Sequence, residues 1–412
     1  MDNKCCWVWL QSVLGIGGKA SVDEILREFG TAENVYEASD MQRRISNVFD
    51  EKQIEKLNTK TIDEAVRVVE QCKRLGLGIV TPDDESYPEK LKDIGDIPLV
   101  LYVKGRLDCL KDRASIAMVG SRKISPERAR LIRLLSASVA AAGAVIVSGG
   151  AMGADTASHL GAVETGRPTV AVLGCGHNAR YLMVNSELRE RISENGALIS
   201  EFPPDTHASR FTFPIRNRII SGLSDAVVVL NADVRSGSLV TARLAKTQGR
   251  DLFALPGDLY GDVSPGTNNL ISDGTKAVYS AYDVLSGYLD KYPTGLSEDS
   301  MMKKVPRSYE EISGFLDPAG LSEPEAGAQP VSLIFRGGAE TESKGEKRNA
   351  PPVDISPEAD KIYRAMGREP IHINEIKLRT GLPVSVVNSA LMELEINGFI
   401  EAETGKYFVK ID

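Results

Sequence analysis

A-S-I-A-M-V-G-S-R-K, residues 114–123, sets a run of apolar side chains directly before Gly120 and Ser121, and then two cations, Arg122 and Lys123. A run without polar alternation suits a strand covered on both faces, as in a parallel sheet flanked by helices. The same pattern recurs outward from it. A-V-I-V-S-G-G (144–150), T-V-A-V-L-G (169–174), A-L-I-S-E (197–201), A-V-V-V-L-N (226–231), D-L-F-A-L-P-G (251–257) and K-A-V-Y-S (276–280) share its character, with helical segments between them. The expected fold class is α/β: a doubly wound and mainly parallel sheet from about 112 to 290. Ligands of such sheets sit at the carboxyl ends of the strands, so the strand-to-helix turns are the place to look for function.

Other zones flank this one. Residues 1–75 read as a small helical domain containing L-G-I-G-G-K (Leu14 to Lys19), and 76–110 as a short lead-in to the sheet domain, which spans 76–295. Residues 296–354 break the rhythm, and G-G-A-E-T-E-S-K-G-E-K-R-N-A-P-P has the composition of a flexible linker. Residues 355–412 read as helices near 357–367, 372–380 and 384–397 followed by a two-stranded wing, the order of a winged-helix domain.

The 412 residues are 42% hydrophobic and 26% charged, which sets aside disordered and collagenous classes. No apolar run approaches the roughly 20 residues of a membrane span, so no membrane partner is expected. The start, M-D-N-K-C-C-W-V-W-L-Q, is a poor secretory signal. Five scattered cysteines read as reduced thiols, and with four dispersed histidines they form no metal-ligand pattern. A cytoplasmic protein with no metal and no cofactor is the expectation. The net charge of −8 weighs only mildly against nucleic acid, because phosphate affinity depends on local basic surface.

The turns supply that local chemistry. In V-G-S-R-K, Gly120 and Ser121 expose amides, while Arg122 adds a five-donor guanidinium beside Lys123; the set suits a phosphate, although a surface arginine beside a turn fits equally. In S-G-G-A-M-G-A-D, Ser148, Gly149, Gly150 and Gly153 let a backbone or ligand come close at a helix start that favours an anion. It lacks the G-K-[ST] of a Walker A loop, and Asp155 serves as a helix cap or as a functional group.

F-T-F-P-I-R-N-R places Arg216, Asn217 and Arg218 at a helix start after Phe211 and Phe213. Cations there oppose the helix dipole and call for an anion, either a bound phosphate or Glu201. R-S-G-S-L-V-T-A offers Ser236, Gly237, Ser238 and Thr241 around another helix start, with Arg243 and Lys246 behind, as an anion nest or as small residues for tight packing. G-C-G-H-N-A (174–179) approximates a dinucleotide fingerprint, but it follows the third strand of the series rather than the first, which argues against NAD or FAD. No Ser–His–Asp set or carboxylate pair accompanies these turns, so the edge reads as a place to hold an anion rather than to transform it.

T-P-D-D-E-S-Y-P-E-K-L-K-D-I-G-D-I-P-L-V-L-Y-V-K-G, V-G-S-R, S-G-G-A-M-G-A-D, R-N-R-I-I-S-G-L-S, S-G-S-L-V-T-A and P-G-D…S-P-G-T-N-N-L-I-S-D-G, in this order across about 79–280, resemble the DNA-processing protein A (DprA/Smf) family. The resemblance implies an extended Rossmann-like sheet domain in a non-enzymatic, dimeric protein of natural transformation that binds single-stranded DNA and helps load the RecA recombinase. It implies Arg122 as a phosphate contact. Met152 stands where that family usually has a basic residue, and Leu182 where a proline usually follows Tyr181. L-G-I-G-G-K resembles a helix-hairpin-helix element, with DNA contact and pure packing equally open. The C-terminal module resembles the family's winged helix, but P-V-S-V-V-N-S-A-L-M-E-L-E-I-N (383–397) has no Lys or Arg, so contact with protein or weak duplex binding is expected.

Two rivals remain. A LOG-like nucleotide N-glycosidase also uses glycine-rich turns on such a sheet, but S-G-S-L-V-T-A-R-L-A lacks the glutamate that chemistry needs. A winged-helix transcription regulator with a nucleotide-sensing sheet would lose its DNA binding along with residues 296–412.

Overall fold

The computed structural model describes residues 2–17, 22–258, 264–302, 356–367, 371–396, 399–403 and 407–410. They fall into two compact units, one ending at Pro330 and one starting at Val331.

The first unit opens with six helices: α1 (Asn3–Leu14), α2 (Val22–Phe29), α3 (Ala32–Glu37), α4 (Asp40–Ile45), α5 (Glu51–Thr59) and α6 (Asp63–Arg74). Short helices need capped ends, and Thr31, Ser39 and Asp50 supply them; Ser39–Gln42 and Asp50–Gln53 form reciprocal capping boxes. Trp7 and Trp9 are fully buried at the centre of this bundle, which packs on Val100 and Tyr102.

The sheet has nine strands: β1 (Gly78–Val80), β2 (Leu101–Gly105), β3 (Ser115–Gly120), β4 (Val145–Ser148), β5 (Thr169–Leu173), β6 (Ala197–Ser200), β7 (Ala226–Asn231), β8 (Asp251–Ala254) and β9 (Lys276–Ala277). Their order is β1-β2-β6-β5-β4-β3-β7-β8-β9. β3 to β9, the seven strands expected from the apolar runs, pair in parallel. The lead-in contributes more than a linker, since β1 and β2 extend the sheet antiparallel beyond β6.

The helices between strands are α7 (Pro126–Ala141), α8 (Ala154–Glu164), α9 (Ser186–Asn195), α10 (Thr212–Gly222), α11 (Ser238–Thr247) and α12 (Pro265–Ser272). Along each strand alternate side chains enter opposite cores. Ile116, Met118, Ile146 and Val228 meet Ile132 and Leu135 of α7; Ala117, Val119, Val147 and Val229 meet Ile219 and Ile220 of α10 and Ala242 and Ala245 of α11. α13 (Ala281–Leu285) and α14 (Glu298–Met302) follow, and Leu296 and Met301 are buried in the first of these cores. The packed unit therefore runs past residue 295. The rest of the expected linker lies outside the described residues.

In the second unit α15 (Pro357–Ala365), α16 (Ile373–Thr380) and α17 (Val384–Ile396) pack against a small antiparallel sheet of β10 (Ile371–His372), β11 (Ile400–Glu403) and β12 (Tyr407–Lys410), ordered β10-β12-β11. Its Glu393 carboxylate accepts from the Ser356 amide at 2.7 Å and so braces the start of α15. Among the described residues no helix is long and apolar enough to cross a membrane, the cysteines are free thiols, and no group of His, Cys, Asp and Glu is placed to hold a metal.

Candidate nucleic-acid interface

Sheet order reverses at β3. The chain adds β4, β5 and β6 on one side and then lays β7, β8 and β9 on the other, so the carboxyl ends of β3 and β7 border the crevice where such sheets take ligands. Gly120 pairs with Asn231 across it, and the Ser121 amide donates to the Asn231 carbonyl at 3.1 Å. The first two turns are stacked. The Ala154 amide donates to the Ser121 carbonyl at 3.1 Å, and a Cβ on Gly153, whose φ is +77°, would lie 2.2 Å from the Arg122 carbonyl oxygen. Only glycine allows that approach.

Arg122 projects from this stack, exposed, with no hydrogen-bond or ion-pair partner among the described residues. Its guanidinium carbon lies 4.7 Å from the centroid of the Phe213 ring, and that of Arg216 lies 5.8 Å from the same ring. Such cation–aromatic contacts contribute about 0.5–1 kcal/mol at exposed sites and leave the in-plane N–H donors open. Phe213 is seated closely: a Cβ on Gly174 would lie 2.6 Å from its ring. The glycines of G-C-G-H-N-A are thus used within the chain, since a Cβ on Gly176 would lie 2.2 Å from the carbonyls of Pro203 and Pro204.

The second turn is held from within. The buried Asp155 carboxylate accepts from the amides of Gly149 (3.1 Å) and Ala151 (3.3 Å), so those amides face the chain and not a ligand. Burial raises its pKa above the usual carboxylate range, with Arg216 the largest opposing influence. Arg216, itself buried, donates to the carbonyls of Gly149 (2.7 Å) and Val172, and to Asn217 Oδ1 at 3.1 Å. Ser148 is buried and donates to the Met118 carbonyl at 2.6 Å, which withdraws it from the expected contact set. The amides of Gly150, Met152 and Gly153 have no acceptor among the described residues.

Arg218 meets the second of the two anions the sequence offered it, which withdraws it from the expected DNA contacts. Its Nη2 donates to both Glu201 oxygens, at 2.7 and 2.8 Å, in a pair exposed by only 7% and 3%. Two residues on a helix are separated by about 200° of rotation, so Arg216 and Arg218 cannot serve one ligand. The anion that Arg218 requires is the carboxylate. Glu201 also takes the Gly17 amide, and a Cβ on Gly17 would lie 3.0 Å from Ile215 Cγ2. The described part of L-G-I-G-G-K therefore packs against α10 and does not present its Gly17 amide to DNA; Gly18 and Lys19 lie outside the described residues.

At the fifth turn Ser238 and Thr241 are buried, Gly237 is exposed, and the Ser236 and Ser238 hydroxyls lie 2.7 Å apart. Lys246, at the far end of α11 beside Asp251, does not belong to this edge. Two exposed cations on the edge escaped the sequence reading: Arg235, and Arg210, whose guanidinium lies 4.8 Å from the Phe211 ring. The cation–aromatic interleaving of R-F-T-F-P-I-R (210–216) was the available signal. With Arg122 and Lys123 they give an acidic chain one cationic edge, on which Met152, Phe211 and Val234 are 57%, 66% and 58% exposed. The Tyr181 side chain lies outside the described residues.

Residues 78–288 match the family model of DNA recombination-mediator protein A, and residues 346–406 that of the DprA winged helix domain. Protein Smf of Synechocystis sp. is 31% identical over 98% of both chains. DNA processing protein DprA of Streptococcus pneumoniae is 41% identical over 205 residues, 50% of this chain and 72% of that one. The X-ray structure of the pneumococcal DprA aligns with a TM-score of 0.58 and 33% identity, covering 68% of this chain and 97% of that chain.

Proposed function

This chain belongs to the DNA recombination-mediator protein A (DprA/Smf) family, and from that premise we propose that the carboxyl edge of its sheet grips the sugar–phosphate backbone of single-stranded DNA. The observation that carries this reading is the exposed Arg122 guanidinium, steadied by Phe213, in a turn stacked on the one whose Gly150, Met152 and Gly153 amides have no acceptor among the described residues. Arg210, Arg235 and Lys123 add long-range attraction, and Phe211 offers a face for a base. Binding of this kind tolerates any sequence, because phosphates and ring faces are common to all.

The role that follows is to hold incoming single strands and to help load RecA during transformation, by a cytoplasmic homodimer that pairs through the sheet domain. No turnover is assigned. Asp155 and Glu201 are buried and engaged within the chain, and Asp233, exposed in the turn after β7, accepts from the Val234 amide at 2.6 Å, which supports holding over N-glycoside cleavage.

The test is fluorescence anisotropy with oligothymidylate over a salt series. Wild type should bind with a steep salt dependence, and Arg122→Glu should lose most of its affinity; equal affinity would remove Arg122 from the site. A chain ending at Met302 should retain binding, whereas the regulator reading requires its loss.

A further inference from the structure

Asn231 ends β7 in the floor of the crevice, 5% exposed, and its Nδ2 has no hydrogen-bond acceptor. Its Oδ1 has no hydrogen-bond partner among the described residues either, so the whole side-chain amide is unpaired while the backbone is engaged. Its carbonyl accepts from the Ser121 amide at 3.1 Å and from the Ser121 and Ser238 hydroxyls, each at 3.4 Å, which ties the β3 turn to the start of α11. A register shift between Val119 and Gly120 sets Gly120 opposite Asn231 where even pairing would set it opposite Leu230. Cross-strand partners share a sheet face, so the Asn231 side chain stands on the face of Gly120 and of the turn into α7. The chain itself leaves β7 for α11 on the opposite face, and the side chain remains where the two turns diverge.

A buried amide donor without an acceptor is destabilising, and a partner from outside the chain would relieve that cost. The ten-residue α11 starts alongside, with the Gly237 amide open and Arg235 exposed two residues earlier, so the partner is anionic. We propose that the unpaired Asn231 side-chain amide, turned so that Nδ2 faces the β3–β7 crevice, is the donor of a second subsite that takes a phosphodiester oxygen of the bound strand one or more nucleotides from the Arg122 contact. This rests on the edge being a site for single-stranded DNA.

The test is Asn231→Leu, which keeps the shape and removes the donor. A group present only for structure gives a lower Tm when removed; an unsatisfied donor kept for a ligand gives an equal or higher Tm together with weaker binding. We expect Tm to hold or rise and the Kd for oligothymidylate to increase about tenfold. A methylphosphonate scan of the oligonucleotide should then show one position whose penalty is smaller in Asn231→Leu than in wild type. Unchanged Kd overturns the subsite, as does a lowered Tm or a scan with the same penalties in both proteins. Failure of wild type to bind, or Arg122→Glu binding as well as wild type, would instead bring down the reading of the whole edge.

Discussion

The Arg122 guanidinium lies over the face of Phe213, 4.7 Å from the ring centroid, and joins a turn after β3 to the start of α10, ninety-one positions away in the chain. An exposed arginine normally samples many rotamers. This one is steadied by the ring, and the ring is wedged by Gly174. If the aromatic face organises the cation for phosphate, the two side chains are coupled in binding. A double-mutant cycle with Arg122→Gln and Phe213→Leu, read as Kd for single-stranded DNA, should show a coupling of about 1 kcal/mol. Additive effects would mean that the ring acts alone.

Arg218 and Glu201 form a buried pair, so their weight falls on stability. Arg218→Met leaves the carboxylate buried without its cation and should lower unfolding free energy by about 3 kcal/mol, with Arg218→Met/Glu201→Leu recovering much of it. Urea titration measures this. Single-strand affinity of the folded variant should stay within about twofold of wild type, in contrast to Arg122 variants.

Met152 is 57% exposed in the second turn, among open amides and without a charge of its own. Met152→Lys should strengthen binding and steepen the salt dependence of log K by up to about 0.7, the increment of one additional phosphate neutralised on a single strand. An unchanged slope would place the strand away from this turn.

His159 and His177 are buried neutral, His159 held down to about 3 by burial and by Arg189 and Arg216, His177 to about 4 by burial. Both lie below the ordinary histidine value of 6.5, so the unfolded chain binds more protons as pH falls. Their contribution to stability is constant above about pH 6.5 and declines below it toward the folded-state values, by about 2 kcal/mol each at pH 5. The raised Asp155 and Glu201 carboxyls act in the opposite sense, so the informative comparison is a variant. His177→Gln retains a donor for the Tyr102 carbonyl, and its urea midpoint should fall less between pH 7.5 and 5.0 than that of wild type.

Strand-forming runs of continuous apolar residues, glycine-marked turns and the place of Arg122 at a strand end were legible in the amino-acid order, because each depends on neighbours within a few positions. β1 and β2 were not, since three to five residues become strands only when β6 offers an edge. The partners of the arginines were decided by tertiary structure alone. Arg216 and Arg218 read as equivalent cations in the chain, yet burial sends Arg216 to the carbonyls of Gly149 and Val172 and Arg218 to Glu201. The orphan donor of Asn231 was equally hidden. Local order along the chain sets which residues form a strand or a turn, but which polar atom is satisfied, and by what, depends on groups that only folding brings within 3 Å of one another.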